Sequence, residues 1–109
     1  MSYYPLGGIL EASYSIASEP YNVLALSDNH IIWYIKSPCV TINLPATGGL
    51  PYETTYEFVD ESARATATPI TINANGATTI NGLSTYVLNT DYQSVKLRLN
   101  SFGTNWLVF

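Results

Sequence analysis

Short runs in which every second residue is apolar, each broken by Gly, Asn or Pro, recur along most of this chain. Successive side chains of a strand point to opposite faces, so a period of two predicts half-buried β-strands joined by turns. From Cys39 to Leu44, the residues Val40, Ile42 and Leu44 alternate with Thr41 and Asn43, and Ile70–Asn73 repeats the scheme. In Thr54–Phe58 the same spacing turns Tyr56 and Phe58 inward. Val-Thr-Ile-Asn at 40–43 and Ile-Thr-Ile-Asn at 70–73 look alike. Their flanks differ, so no repeat unit is inferred, and chance in Thr/Ile-rich strands accounts for the likeness.

The C-terminus carries the sharpest local expectation. Val95, Leu97 and Leu99 alternate with Lys96 and Arg98, and Asn-Ser-Phe-Gly at 100–103 then precedes the run Thr104–Phe109. This reads as a hairpin with a four-residue loop, setting Leu97 opposite Trp106 and Val95 opposite Val108. Asn75-Gly76 and Asn81-Gly82 favour positive φ and predict two more tight turns, with Ala77–Ile80 as a short strand between them. The run Ile31–Ile35 has no polar alternation, so both of its faces should be covered, by a second sheet or by another subunit.

Two stretches predict irregular backbone. Met1–Gly8, with Tyr3, Tyr4, Pro5, Leu6 and a Gly-Gly pair, has the composition of an arm that lies against another surface, leaving residues 9–109 as one β domain. Thr47–Tyr52, with two glycines and Pro51, reads as a loop. A helical turn could form only at Asp60–Ala65, which is too short to be stable alone. The expected fold is therefore all-β: a compact antiparallel β-sandwich or barrel of short strands, with little or no helix.

Composition narrows what such a fold does. Charged residues make up 11% of the 109, against about a quarter in a typical soluble domain, so Ser, Thr, Asn and Tyr must supply the surface or partner subunits must hide it. Four basic side chains (Lys36, Arg64, Lys96, Arg98) and a net charge of -4 give no positive field for a phosphate backbone, and no nucleic-acid partner is expected. The single cysteine, Cys39, cannot close an internal disulfide, and no Cys/His cluster has the spacing of zinc ligands. No apolar run approaches the length of a membrane span, and the N-terminus lacks the pattern of a signal peptide, so synthesis and folding in a cytoplasm, without a membrane partner, are expected.

The residue types that carry catalysis are present without their usual company. His30 lies in a Ser-Asp-Asn-His turn with no nucleophile motif, and reads as a structural or exposed turn residue. Cys39 follows Pro38 with no cationic neighbours to favour its thiolate. Glu53, Glu57, Asp60 and Glu61 give acidic density of the kind glycosidases use, but strand positions make Glu53 and Glu57 solvated side chains, and no calcium-loop motif accompanies them. The reading is of a non-enzyme with no cofactor. Nine tyrosines and two tryptophans could form a sugar-stacking platform, or else core and interface packing. Period-two placement favours packing for Tyr56, Tyr86, Trp33 and Trp106, whereas Tyr3 and Tyr4 belong to no alternating run and are expected to dock on a partner.

Pro-Ile-Thr-Ile-Asn-Ala-Asn-Gly at 69–76, Thr-Ile-Asn-Gly at 79–82, Tyr-Val-Leu-Asn-Thr-Asp-Tyr at 86–92, Ser-Val-Lys-Leu at 94–97 and Gly-Thr-Asn-Trp-Leu-Val at 103–108 together resemble a β module of tailed-phage structural proteins. Val-Thr-Ile-Asn-Leu-Pro at 40–45 looks like its beginning, whereas the first thirty-eight residues depart from it. Similar modules occur in head fibres, capsid decoration (cement) proteins and tail fibres, commonly as trimers. The resemblance carries over no active site. It implies a virion component: a homotrimeric decoration protein on the outer surface of the major capsid protein, with Tyr3, Tyr4, Pro5 and Leu6 as capsid-contact candidates. Ile31, Trp33, Ile35, Val95, Leu97, Trp106 and Val108 are the candidates for the core or the trimer interface. The competing expectation is a fibre or spike module that binds host glycans.

Overall fold

Among the described residues ten short strands form two sheets, and the chain passes from one sheet to the other after each of the first eight. The computed structural model describes residues 11–24, 30–51 and 53–109. The strands are β1 (Glu11–Ile16), β2 (Tyr21–Asn22), β3 (His30–Ile35), β4 (Thr41–Asn43), β5 (Thr55–Asp60), β6 (Ile70–Asn73), β7 (Thr79–Ile80), β8 (Thr85–Leu88), β9 (Ser94–Leu99) and β10 (Asn105–Val108). One sheet has the order β1-β3-β5-β9-β10-β7, and the other β2-β4-β6-β8. There is no helix among the described residues.

The all-β, two-sheet expectation holds, but the expectation of purely antiparallel sheets does not. β1, β3 and β5 are parallel neighbours, as are β2, β4 and β6. The chain lays one strand in the first sheet, crosses to the second, and returns beside where it began, so that β1 to β6 wind a short two-sheeted coil. Alternation specifies which face of a strand is buried and not which strand lies beside it, so it could not separate this coil from a set of hairpins. The crossings need no helix because the covering layer is the other sheet. The C-terminal strands then reverse direction: β9 pairs antiparallel with β5, β10 with β9 and β8 with β6, which closes one end of the coil.

The core lies between the sheets. Its first-sheet rows are Ala12, Ile31, Tyr56 and Leu97 in register, then Tyr14, Trp33, Phe58 and Val95, then Ile16, Ile35 and Asp60. Ile42, Ile70, Ile72 and Leu88 meet them from the second sheet and are buried. The Trp33 ring stacks on Phe58 (5.0 Å, 11°) and meets Tyr56 edge-on (4.9 Å, 90°), while Tyr56 stacks on Trp106 (4.9 Å, 28°). Trp33 Nε1 donates to the Tyr21 hydroxyl at 3.2 Å, which joins the sheets at the β2 end of the coil.

The C-terminal hairpin forms with a shifted register. Leu99 faces Trp106 and Leu97 faces Val108, while Val95 faces Phe58 on β5. The loop is Ser101–Thr104 and not 100–103, because Asn100 joins the ladder: its N–H donates to Asn105 O at 3.0 Å. Its side-chain Oδ1 accepts the Thr104 and Asn105 N–H groups at 3.0 and 3.2 Å, drawing both into the closure. Gly103 takes φ +69° in that loop, where a side chain would be strained. A two-residue shift leaves every side chain on its original face, so Trp106 remains inward.

The Asn81-Gly82 turn forms at positive φ in both residues (48° and 83°), and Gly76 also has positive φ (56°). Of the strand expected over Ala77–Ile80, only Thr79–Ile80 pairs. Asp60–Ala65 makes turns without a helix. Asp60, on the last position of β5, is 1% exposed, and its Oδ2 accepts the N–H groups of Arg64 (2.8 Å), Ala65 (2.9 Å) and Tyr92 (3.2 Å). A carboxylate in this place holds the turn after β5 and the loop before β9 together.

Candidate functional site: side-chain ladders and the open end of the coil

Winding places equivalent residues of successive turns side by side, and two of the resulting rows stand out. In the second sheet Asn22, Asn43 and Asn73 are neighbours in register. Asn73 Nδ2 donates to Asn43 Oδ1 at 2.9 Å, and Asn43 Nδ2 donates to Asn22 Oδ1 at 2.9 Å. The likeness of Val-Thr-Ile-Asn at 40–43 to Ile-Thr-Ile-Asn at 70–73 is therefore not chance: Thr41 pairs with Thr71, Ile42 with Ile72 and Asn43 with Asn73. An amide carries both a donor and an acceptor, so a file of Asn in parallel register links turn to turn, as Ser or Thr at that reach would not. In the first sheet, inside, Tyr14 stacks over Trp33 (6.2 Å, 25°) and Trp33 over Phe58.

Both rows end at the same place. β1 is the edge of one sheet and β2 the edge of the other, and no described strand pairs with the outer side of either. Tyr14 faces the core side, yet it is 41% exposed because its row stops there. A corner contact stiffens this end. The Glu19 carboxylate, in the crossing from β1 to β2, accepts the N–H groups of Val40 (2.9 Å) and Thr41 (2.8 Å) in the next turn. The backbone hydrogen bond from Val40, followed by the contacts with Thr41, holds its pKa below the ordinary 4.5.

The residues that the sequence singled out for chemistry are dispersed. His30 opens β3 on the outer face, its Nε2 3.8 Å from Glu57 Oε1. Glu53 lies in a turn at φ 64°, Glu61 pairs with Lys36 at 3.7 Å, and Asp60 is committed to backbone groups. No group of three His, Cys, Asp or Glu that could hold a metal ion occurs among the described residues. Cys39 is buried, its Sγ lies 3.8 Å from Thr41 O, and burial pushes its thiol pKa up, the direction that disfavours a reactive thiolate.

Among the core and interface candidates, Ile31, Trp33, Ile35, Val95, Leu97 and Trp106 are buried within the single chain, and Val108 packs partly buried against them. On the outer face of β3, Ile32 and Tyr34 are half-exposed. Tyr3, Tyr4, Pro5 and Leu6 lie outside the described residues. Sequence reasoning missed Asn22, Asn43, Asn73 and Glu19. The twin Thr-Ile-Asn strings were the available signal.

No protein-family model matches the chain, and a search of curated proteins finds no similar sequence.

Proposed function

We propose that this chain is a structural protein of a virus particle: a capsid decoration protein that sits as a homotrimer on the outer surface of the major capsid protein shell and stabilises the head. What carries the reading is the C-terminal part. Pro69–Phe109, the stretch that resembles the phage module, supplies β6 to β10, four of which close the coil at one end. Tyr3, Tyr4, Pro5 and Leu6, which precede β1 in sequence, supply the contact with the capsid. Low surface charge and an amide ladder in place of ion pairs suit packing among many copies.

The mechanism is linkage: a protein that binds only the assembled shell, across neighbouring capsid subunits, stabilises it by its binding free energy. Purified protein should co-sediment with empty shells and raise their rupture temperature. Equal rupture temperatures with and without it sink the role. In the alternative, a module binding host glycans, exposed aromatic rings would form a stacking platform. Among the described residues the most exposed rings, Tyr92 (70%) and Phe102 (84%), lie in the loops at opposite ends of β9 and do not make one surface. A glycan-array signal without capsid binding would favour that reading nonetheless.

A further inference from the structure

From the open end of the coil we infer that a second copy of this chain pairs with it through a two-fold axis, β1 against β1 and β2 against β2. This goes beyond the capsid reading and does not depend on it.

Natural edge strands are blunted by charged side chains, Pro, bulges or shortness. β1, with the sequence Glu-Ala-Ser-Tyr-Ser-Ile, carries one charged residue, at its first position, and neither Pro nor bulge: all six residues pair with β3 without interruption. Ile16 O accepts the Lys36 N–H at 2.8 Å, so the even-numbered peptide groups of β1 face β3. Those of the odd-numbered residues, Ser13 and Ser15 among them, face the open side. On β2, Val23 N–H donates to Asn43 O at 2.9 Å, which leaves the peptide groups of Asn22 facing outward. Asn22 Nδ2 donates to nothing among the described residues, although its Oδ1 ends the amide row.

Only the same end of another copy matches this one. Head-to-tail stacking would set the six residues of β1 against β7, which has two. End to end, β1 meets β1 and β2 meets β2, strands of equal length. A dyad perpendicular to both sheets joins both edges at once and leaves neither open, giving a closed isologous contact. Keeping Ala12, Tyr14 and Ile16 on the core side allows only registers that differ by even steps, and among these the exposed Tyr14 ring places the dyad at Tyr14. Tyr14 faces Tyr14 of the second copy, and Ser13 and Ser15 exchange hydrogen bonds across the axis. The Tyr14 pair is then a non-hydrogen-bonded antiparallel pair, with Cα atoms about 4.5 Å apart, and each exposed ring gains the neighbour that its row lacks. The core of each coil becomes continuous with the other.

Mass measurement by light scattering, on the full chain and on Ser13→Pro and Tyr14→Cys, tests this. Proline removes an outward N–H without touching the β1–β3 ladder, and the expected result is a halving of the particle mass whatever the wild-type assembly is. Tyr14→Cys under mild oxidation by oxidised glutathione should give a covalent species of twice the 12.0 kDa chain mass, since Cα atoms about 4.5 Å apart fall within disulfide range. Ser15→Cys should not cross-link, and buried Cys39 supplies the background in the wild-type chain. A particle whose mass is unchanged by Ser13→Pro, with no Tyr14→Cys cross-link, overturns the pairing and leaves the trimer standing. A dimer that falls to monomer supports the pairing and overturns the trimer.

Discussion

Asn43 receives a hydrogen bond from Asn73 and passes one to Asn22, so a single side chain ties three turns of the coil together. Asn43→Ala breaks both links and removes the file, at an expected cost of about 1–2 kcal/mol. Asn22→Ala breaks one bond at an exposed edge and should cost less than about 1 kcal/mol. Urea denaturation midpoints of the two variants check the order. Equal losses would mean that the file contributes nothing as a unit.

Removing a polar atom from the core should do no harm at Tyr56. Its hydroxyl is buried and has no hydrogen-bond partner among the described residues, and the same is true of Trp106 Nε1. Tyr56→Phe keeps the stacking with Trp33 and Trp106 while deleting that hydroxyl, so stability should stay level or rise by up to about 1 kcal/mol.

Tyr56 also gives an alkaline signature. Burial pushes its pKa up to about 12, whereas an unfolded tyrosine titrates near 10. Above the unfolded value the unfolded chain releases a proton that the folded chain retains, so the contribution of this group to stability falls as pH rises from roughly 10 towards 12. The wild type should lose stability relative to Tyr56→Phe across that window, as read by denaturant titration at each pH. Parallel curves would count against an intact, buried hydroxyl.

Acid acts at Glu19. Its folded pKa lies below the ordinary 4.5 because the Val40 and Thr41 backbone groups favour the carboxylate. The contribution is therefore present above the unfolded value and is lost as pH falls through the folded one. Glu19→Gln retains an acceptor but no charge. Its stability should depend less on pH than that of the wild type below about 4.5, a difference visible in melting temperatures taken down the acid range.

Asp60 presents the largest expected loss. Asp60→Ala strands the N–H of buried Ala65 and releases those of Arg64 and Tyr92, for a cost of about 2–4 kcal/mol. Asp60→Asn keeps one acceptor oxygen and should recover part of it. A thermal shift that ranks wild type above Asn and Asn above Ala checks the assignment.

Much of the inside of this fold was legible because burial follows alternation. Tyr56, Phe58, Ile70, Ile72, Leu97 and Trp106 turn inward where period two puts them. Neighbours were not legible. Ile42 and Ile72, thirty positions apart in sequence, lie side by side, and the pattern of one strand carries no record of its partner. The hairpin register slipped for a narrower reason: Asn100 looks like a turn residue but uses its side chain to bring itself into the ladder. Asp60 and Glu19 escaped notice because carboxylates that bind backbone groups are indistinguishable in sequence from solvated ones. The open end of the coil appears only once β1 and β2 are known to be edges of the two sheets.

The reversal of strand direction at β9 has a consequence for synthesis. As the chain emerges, β1, β3 and β5 can stack in order, but the far side of β5, with Tyr56 and Phe58 beside it, has no cover until Ser94–Leu99 has been made. The nascent coil is thus unsealed for most of its time on the ribosome, and the last strands to arrive stop its growth. A chain interrupted before β9 would retain a growing edge at β5 in addition to the open one at β1, and so would be able to add strands from other chains at both ends.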